Sequence, residues 1–292
     1  MKHESHDLRI SKASIRTIVG ATTLAIATLS LSFVASAEMA AATISKSAPK
    51  SAATDRQRDA METVIKDYLL KNPAIVREAL QTLERREAET KIAEVRAAVV
   101  KNRNALQNNA ASPVSGNPQG DVTLVEFFDY RCGFCQRVAP AVAELLERDK
   151  NVRVIYKDLP ILGPDSLLSA KAALAAERQG KHGIFHTLLL NAETQNEESI
   201  KNIATKVGLD VAKLMIDMED PAIVKQIEEN SRIAGELDIQ GTPAFVLGDR
   251  VLPGAVDLES MVRLVAAERT LQQEMKKLKT AIVPTPTKTA SR

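Results

Sequence analysis

The chain of 292 residues has no tryptophan, nine other aromatic residues and two cysteines. Basic charge is not in excess either. Residues 1–37 hold four basic and two acidic residues of the chain's 39 and 37, which leaves 35 of each sign in the remainder. A nucleic-acid binder carries a basic excess or stripe, so that class is excluded. Long apolar runs are scarce as well. One extends from Ile18 to Val34, and no second run is long enough to cross a membrane. The cysteine count also weakens a structural zinc reading, which takes four ligands and typically two close cysteine pairs.

The single long apolar run has a clear context. Lys2, Arg9, Lys12 and Arg16 precede it, and Ala35-Ser36-Ala37 closes it. That layout reads as a secretory signal over residues 1–37, cleaved near Ala37, which puts the mature chain in the periplasm or otherwise outside the cytoplasm. The alternative is an uncleaved membrane anchor. In either case the remainder is exported, and disulfides persist in such compartments. Residues 38–54 are rich in Ala, Ser, Thr and Lys without apolar periodicity and read as a disordered linker.

Both cysteines stand in the stretch DYRCGFCQRVAP, as Cys132 and Cys135. A bridge between residues three apart closes almost no loop, so it contributes little as a staple. A metal site or a redox site remains. Four of the nine aromatics cluster nearby, at Phe127, Phe128, Tyr130 and Phe134. They read as strand core, as an apolar surface around a reactive group, or as both.

Periodicity supplies the frame. Met61, Val64, Ile65, Tyr68 and Leu69 recur at helical spacing, and Asn72-Pro73 ends that helix and opens another toward Gln107. Its narrow apolar stripe, Val76, Leu80 and Leu83, then Ala88, Ile92, Val95 and Val99, slips phase once. Residues 55–107 therefore read as an oligomerisation arm, with a helical lid as the alternative. Turn formers over 108–120 mark a hinge. Val122–Phe128 and Val152–Tyr156 read as buried strands around a helix, one βαβ unit with a parallel pair. Residues 164–237 read as a helical insert. Gly248-Asp249 then turns a hairpin between Ala244–Leu247 and Arg250–Leu252, and a last helix runs to about Lys279 before a disordered tail over 280–292. The fold class is α/β: one mixed sheet covered by helices, here residues 121–279.

Cys132 falls where a strand ends and a helix begins. Unpaired backbone N–H groups and the positive end of the helix dipole favour a thiolate there, and the thiolate is the nucleophile. Cys135 lies one turn on, close enough to form a disulfide with Cys132. The pair can therefore cycle, with Cys132 attacking and Cys135 resolving the mixed disulfide. Glu126, inside the first buried strand, is expected to have a raised pKa and to relay the proton of the inner thiol, with Lys157 as its charge partner. His182 and His186 are four apart on a helical segment beside Phe185 and read as packing residues, so no resident metal is expected. A copper- or zinc-binding role for the two cysteines and a scaffold with a vestigial redox domain are the competing classes.

The motifs VEFFDYRCGFC, YKDLPILGPDS and GTPAFVLGD together resemble the DsbA-like thiol-disulfide oxidoreductases over residues 120–275. The resemblance implies a thioredoxin-like fold with a helical insert. It implies a cis peptide at Thr242-Pro243 lying against the cysteine pair and helping to bind the partner chain, and it matches Glu126 to the family's buried acid. YLLKNPAIVREALQTLE (68–84) is similar to the N-terminal arm of a subgroup like suppressor of copper sensitivity protein C, in which trimeric isomerases occur. Gly133-Phe134 resembles the Gly-aromatic dipeptide of disulfide isomerases, a dipeptide that tunes redox poise. The expected partners are client proteins with cysteines or disulfides, a membrane redox partner and further copies of the chain. Isomerase or reductase activity is favoured over DsbA-type oxidation, and no cofactor is called for.

Overall fold

The computed structural model describes residues 52–282. The leader with its cleavage site, the linker before Ala52 and the tail beyond Ile282 lie outside the described residues. The chain divides into two units between Lys66 and Asp67, and of the first only the opening of helix α1 is described.

Helix α1 (Ala52–Lys71) stops at Asn72, whose backbone N–H donates to the Tyr68 carbonyl at 2.9 Å. Proline then opens α2 (Pro73–Lys101), where a missing N–H costs nothing. The helix expected to reach Gln107 breaks at Asn102, and a short α3 (Arg103–Gln107) follows. Asn102 is buried. Its Nδ2 donates to the Ala98 carbonyl at 3.0 Å and to Glu236 Oε2 at 2.9 Å, and its Oδ1 accepts from Arg232 Nη2 at 3.2 Å. A side chain bonded back to its own helix competes with the backbone ladder at that point.

The sheet has five strands in the order β1-β3-β2-β4-β5: β1 (Val114–Gly116), β2 (Val122–Phe128), β3 (Val152–Asp158), β4 (Ala244–Leu247) and β5 (Arg250–Pro253). β2 and β3 are parallel and joined by α4 (Gly133–Arg148), while the other pairs are antiparallel. Strand β1 falls inside the stretch read as a hinge. Three residues among turn formers carry no strand pattern of their own, and they become a strand because they pair with Arg153–Ile155. Five helices form the insert: α5 (Pro164–Glu177), α6 (His182–Leu190), α7 (Glu197–Lys206), α8 (Val211–Met218) and α9 (Pro221–Glu236). Asp210 and Asp220 cap α8 and α9 by accepting from Lys213 N at 2.9 Å and Ala222 N at 2.8 Å. Gly248, at φ 64°, makes the β4–β5 turn, and α10 (Leu258–Ile282) closes the described chain.

Alternation along the strands divides the interior in two. Val122, Leu124, Phe128, Val154 and Tyr156 point to one face and pack with α4, the insert and α10. Val125, Phe127 and Ile155 point to the other and pack with Val99, Leu106, Ile233 and Ala234. The expected mixed sheet, covered on both faces and preceded by a helical region, is the observed architecture.

Candidate active site

β2 delivers the chain to the first turn of α4. After Phe128, residues 129–131 form a turn in which Cys132 N donates to the Asp129 carbonyl at 3.1 Å. Cys132 is the N-cap of α4, extended at φ −80° and ψ 111°, and its carbonyl accepts the first helical bond from Gln136 N at 3.0 Å. Gly133 and Phe134 occupy the first turn. Both sulfurs are free thiols. Cys132 is 6% exposed, and Cys135 is fully buried beneath it. Burial pushes the Cys135 thiol well above its ordinary range, the opposite of what a nucleophile needs. Phe134 is 59% exposed, and the Arg137 guanidinium lies over its ring at 4.3 Å.

A segment 110 residues further on completes the site. The Cys132 thiol donates to the Thr242 carbonyl at 3.2 Å, and the Thr242-Pro243 peptide bond is cis. Thr242 is half-buried and Pro243 buried, directly before β4, which pairs with β2. Sheet pairing thus brings the two distant motifs together.

Glu126 points to the face that carries α4. Among the described residues no charged partner offsets its burial, which pushes its carboxyl up to about 8. Lys157 is not its charge partner. In the parallel register Glu126 stands opposite Tyr156, and Lys157 stands opposite Phe127, so the two ionisable chains leave the sheet on opposite faces. The Lys157 ammonium donates instead to the Ala105 carbonyl at 2.7 Å and to Ser112 Oγ at 2.8 Å. Burial pushes it down to about 8, against the pull of Asp158 and Glu229. The proton-relay expectation for Lys157 is therefore corrected: its side chain ties α3 and the segment before β1 to the sheet.

His182 and His186 are buried on α6 with their rings stacked at 5.2 Å, and they pack on Tyr156 and Phe128. His186 Nδ1 pairs with Tyr130 Oη at 2.9 Å. Burial drives both imidazoles down, His186 to about 4, so both are neutral at physiological pH. Among the described residues no group of three His, Cys, Asp or Glu side chains gathers in metal-binding geometry.

One residue at the site escaped the sequence reading. Asp129 is buried, and its carboxylate accepts three backbone bonds: Arg131 N on Oδ1 at 2.8 Å, and Ile161 N and Leu162 N on Oδ2 at 2.8 and 3.0 Å. The available signal was a lone acid between the apolar FF pair and the cysteines.

Comparison with known proteins places these features in context. Residues 123–266 match the family described as DSBA-like thioredoxin domain, and residues 57–89 match the Copper resistance protein ScsC N-terminal domain. A solved thioredoxin-like oxidoreductase from Silicibacter pomeroyi DSS-3 is 43% identical, with a TM-score of 0.56 over 58% of this chain and 98% of that one. The catalytic domain of Proteus mirabilis ScsC is 31% identical, with a TM-score of 0.55 over 60% of this chain and 98% of that one. A periplasmic thioredoxin-like protein from Salmonella enterica serovar Typhimurium is 31% identical, with a TM-score of 0.54 over 57% and 95%. The chain spans about a quarter of the length of curated relatives that it matches. One is Na(+)/H(+) antiporter NhaA 1 of Salinispora arenicola, 29% identical over 157 residues, 53% of this chain and 24% of that protein. Among the described residues no helix is long and apolar enough to cross a membrane.

Proposed function

The chain belongs to the DsbA-like thioredoxin family, with an N-terminal region of the ScsC type, and from that membership we propose that it is an exported thiol–disulfide oxidoreductase acting on client proteins. The observation that carries this reading is the Cys132 sulfur at the mouth of α4, 3.2 Å from the Thr242 carbonyl, with Cys135 buried one turn below.

Cys132, as its thiolate, attacks one sulfur of a client disulfide. A Cys132–client disulfide forms, the client's own S–S bond breaks, and its second sulfur leaves as a thiolate. In isomerisation a different client thiolate attacks the client sulfur of this intermediate. A new client disulfide forms and Cys132 is released as thiolate, with no net electron transfer. In reduction Cys135 loses its proton and attacks the Cys132 sulfur, so the client leaves reduced and the two cysteines become a disulfide. Two electrons have then passed to the client, and a membrane redox partner restores them.

Burial holds the proton on Cys135, so resolution needs a base. Glu126 is suited to that role, because it shares the α4 face and, with a pKa near 8, exchanges protons close to neutrality. Thr242 and Pro243 flank the sulfur where a client strand lies, and Gly133 and Phe134 tune the thiolate.

Isomerase or reductase action is favoured over oxidation. Two features support it: the Gly-aromatic dipeptide, and an arm whose Met61, Val64, Ile65, Tyr68 and Leu80 are exposed in the single chain. Of residues 55–107, Val99 and Leu106 pack on this chain's own sheet, so the exposed part, residues 55–90, would join copies of the chain, a trimer by analogy with the subgroup, and so surround a misfolded client with several sulfurs. Export to the periplasm rests on the leader pattern over residues 1–37.

Refolding of a scrambled, disulfide-rich protein tests the reading. The wild type is expected to restore native pairing, Cys132→Ala to be inactive, and a chain lacking residues 55–90, a deletion that spares Val99, Asn102 and Leu106 on the sheet face, to retain exchange on small disulfides while losing isomerisation. A wild type that oxidises reduced clients without reshuffling scrambled ones would replace isomerase by oxidase. Cys132→Ala with full activity would remove the assignment.

A further inference from the structure

The loop after β3 presents two apolar side chains to solvent while its backbone is pinned. Ile161 is 49% exposed and Leu162 47% exposed, yet the N–H groups of both donate to buried Asp129. The same loop is held at two further points. Leu159 N donates to the Phe128 carbonyl at 2.8 Å, and Arg131 Nη1 lies 3.5 Å from Asp165 Oδ2. Loop 159–165 therefore lies along residues 128–131, the turn that ends at Cys132.

Burying a carboxylate is unfavourable unless its oxygens are satisfied. Asp129 satisfies its own with three charge-assisted bonds, and they divide in an informative way. One oxygen holds the amide next to Cys132, and the other holds both amides of the apolar pair. A fold that needed only to close this loop could do so with its side chains turned inward. Here the backbone is rigid and the side chains face out, as in a contact surface of fixed geometry. Phe134, also exposed, adds a third apolar side chain on the first turn of α4.

Resting on the proposed thiol–disulfide exchange, we propose that Asp129 is a positioning residue that fixes a client-docking rim of Ile161 and Leu162 beside the reactive sulfur. The rim selects an extended client segment with apolar residues flanking its cysteine. The occupant follows from continuity with the redox site, since a chain bonded to Cys132 must cross the residues next to it. Such segments are exposed in unfolded chains and covered in folded ones, so the rim directs exchange toward misfolded clients.

The test uses the full chain and three probes: a disulfide peptide with Leu-rich flanks, the same peptide with Ser-rich flanks, and glutathione disulfide. The wild type is expected to prefer the Leu-flanked peptide. Ile161→Ser with Leu162→Ser is expected to raise KM for that peptide about tenfold with kcat held, and to narrow its preference over the Ser-flanked peptide by the same factor. Asp129→Asn should reproduce this split, because an amide has one acceptor oxygen and cannot serve both sides of the latch. Should Asp129→Asn fail to fold, the surface pair decides alone. Equal losses on all three probes, or no loss on the Leu-flanked peptide, overturn the proposal. A wild type inert toward every disulfide, glutathione included, is a different failure and sinks the exchange reading beneath it.

Discussion

The two faces of the central sheet bury ionisable side chains from adjacent strands, Glu126 and Asp158 on the α4 face and Lys157 on the other, and Glu126 and Lys157 are treated differently. On the α4 face Glu126 has, among the described residues, no charged partner to offset its burial. On the opposite face Lys157 is equally enclosed, but its ammonium is spent on the Ala105 carbonyl and the Ser112 hydroxyl. Burial moves both toward neutrality, to about 8 in each case, from opposite sides. What separates chemistry from architecture is the partner list. A buried group with no partner keeps its proton available to a reacting neighbour, whereas one with two partners is a fastener.

The comparison makes its largest prediction in pH-dependent stability. Glu126 has a folded pKa above its unfolded value of 4.5, so its stability contribution is intact below pH 4.5 and lost as pH rises to about 8. Glu126→Gln removes that loss. Relative to wild type, its unfolding free energy should climb by on the order of 4 kcal/mol between pH 4.5 and 8.5 in urea titrations. A flat difference would mean that the carboxyl is paired.

Lys157 has the reverse sign in a different window. Its folded pKa lies below its unfolded value of 10.5, so stability is intact above pH 10.5 and lost as pH falls to about 8. Lys157→Met should abolish a rise of about 3 kcal/mol between those limits, leaving a roughly constant cost from the two unpaired oxygens. A dependence in the Glu126 window instead would show that the two groups titrate together.

A kinetic contrast comes next. Release of a client trapped on Cys132 should slow about tenfold at neutral pH in Glu126→Gln, equivalent to roughly 1.4 kcal/mol of barrier, and change less than about twofold in Lys157→Met. Stopped-flow decay of the mixed disulfide reads it. Equal slowing in both would return Lys157 to the proton path. The smallest effect concerns the aromatic packing on the α4 face. Tyr130→Phe removes the bond to His186 and should lower stability by about 1 kcal/mol, measured as a shift in thermal midpoint.

Much of this was legible in the sequence, for local reasons. Val122–Phe128 reads as a buried strand because seven near-continuous strand formers have little alternative, and Asp210 and Asp220 announce helix starts through side chains that reach their own first turn. Strand β1 was not legible, because three residues between turn formers have no pattern until β3 is beside them. Asn102 was not legible either, since its partners Glu236 and Arg232 lie more than 100 positions away. The pairing of Glu126 with Lys157 failed for a related reason. Spacing along a strand determines which face a residue takes only once the register with the neighbouring strand is known.

The amino-acid sequence alone determined that two sulfurs stand one helical turn apart where a strand meets a helix, because periodicity and turn chemistry act over a few residues. The tertiary structure alone decided what surrounds them. It set Thr242 against Cys132, sent Glu126 and Lys157 to opposite faces, and gave Asp129 both sides of the site to hold. Each of these depends on strand register and long-range packing, which no local window contains.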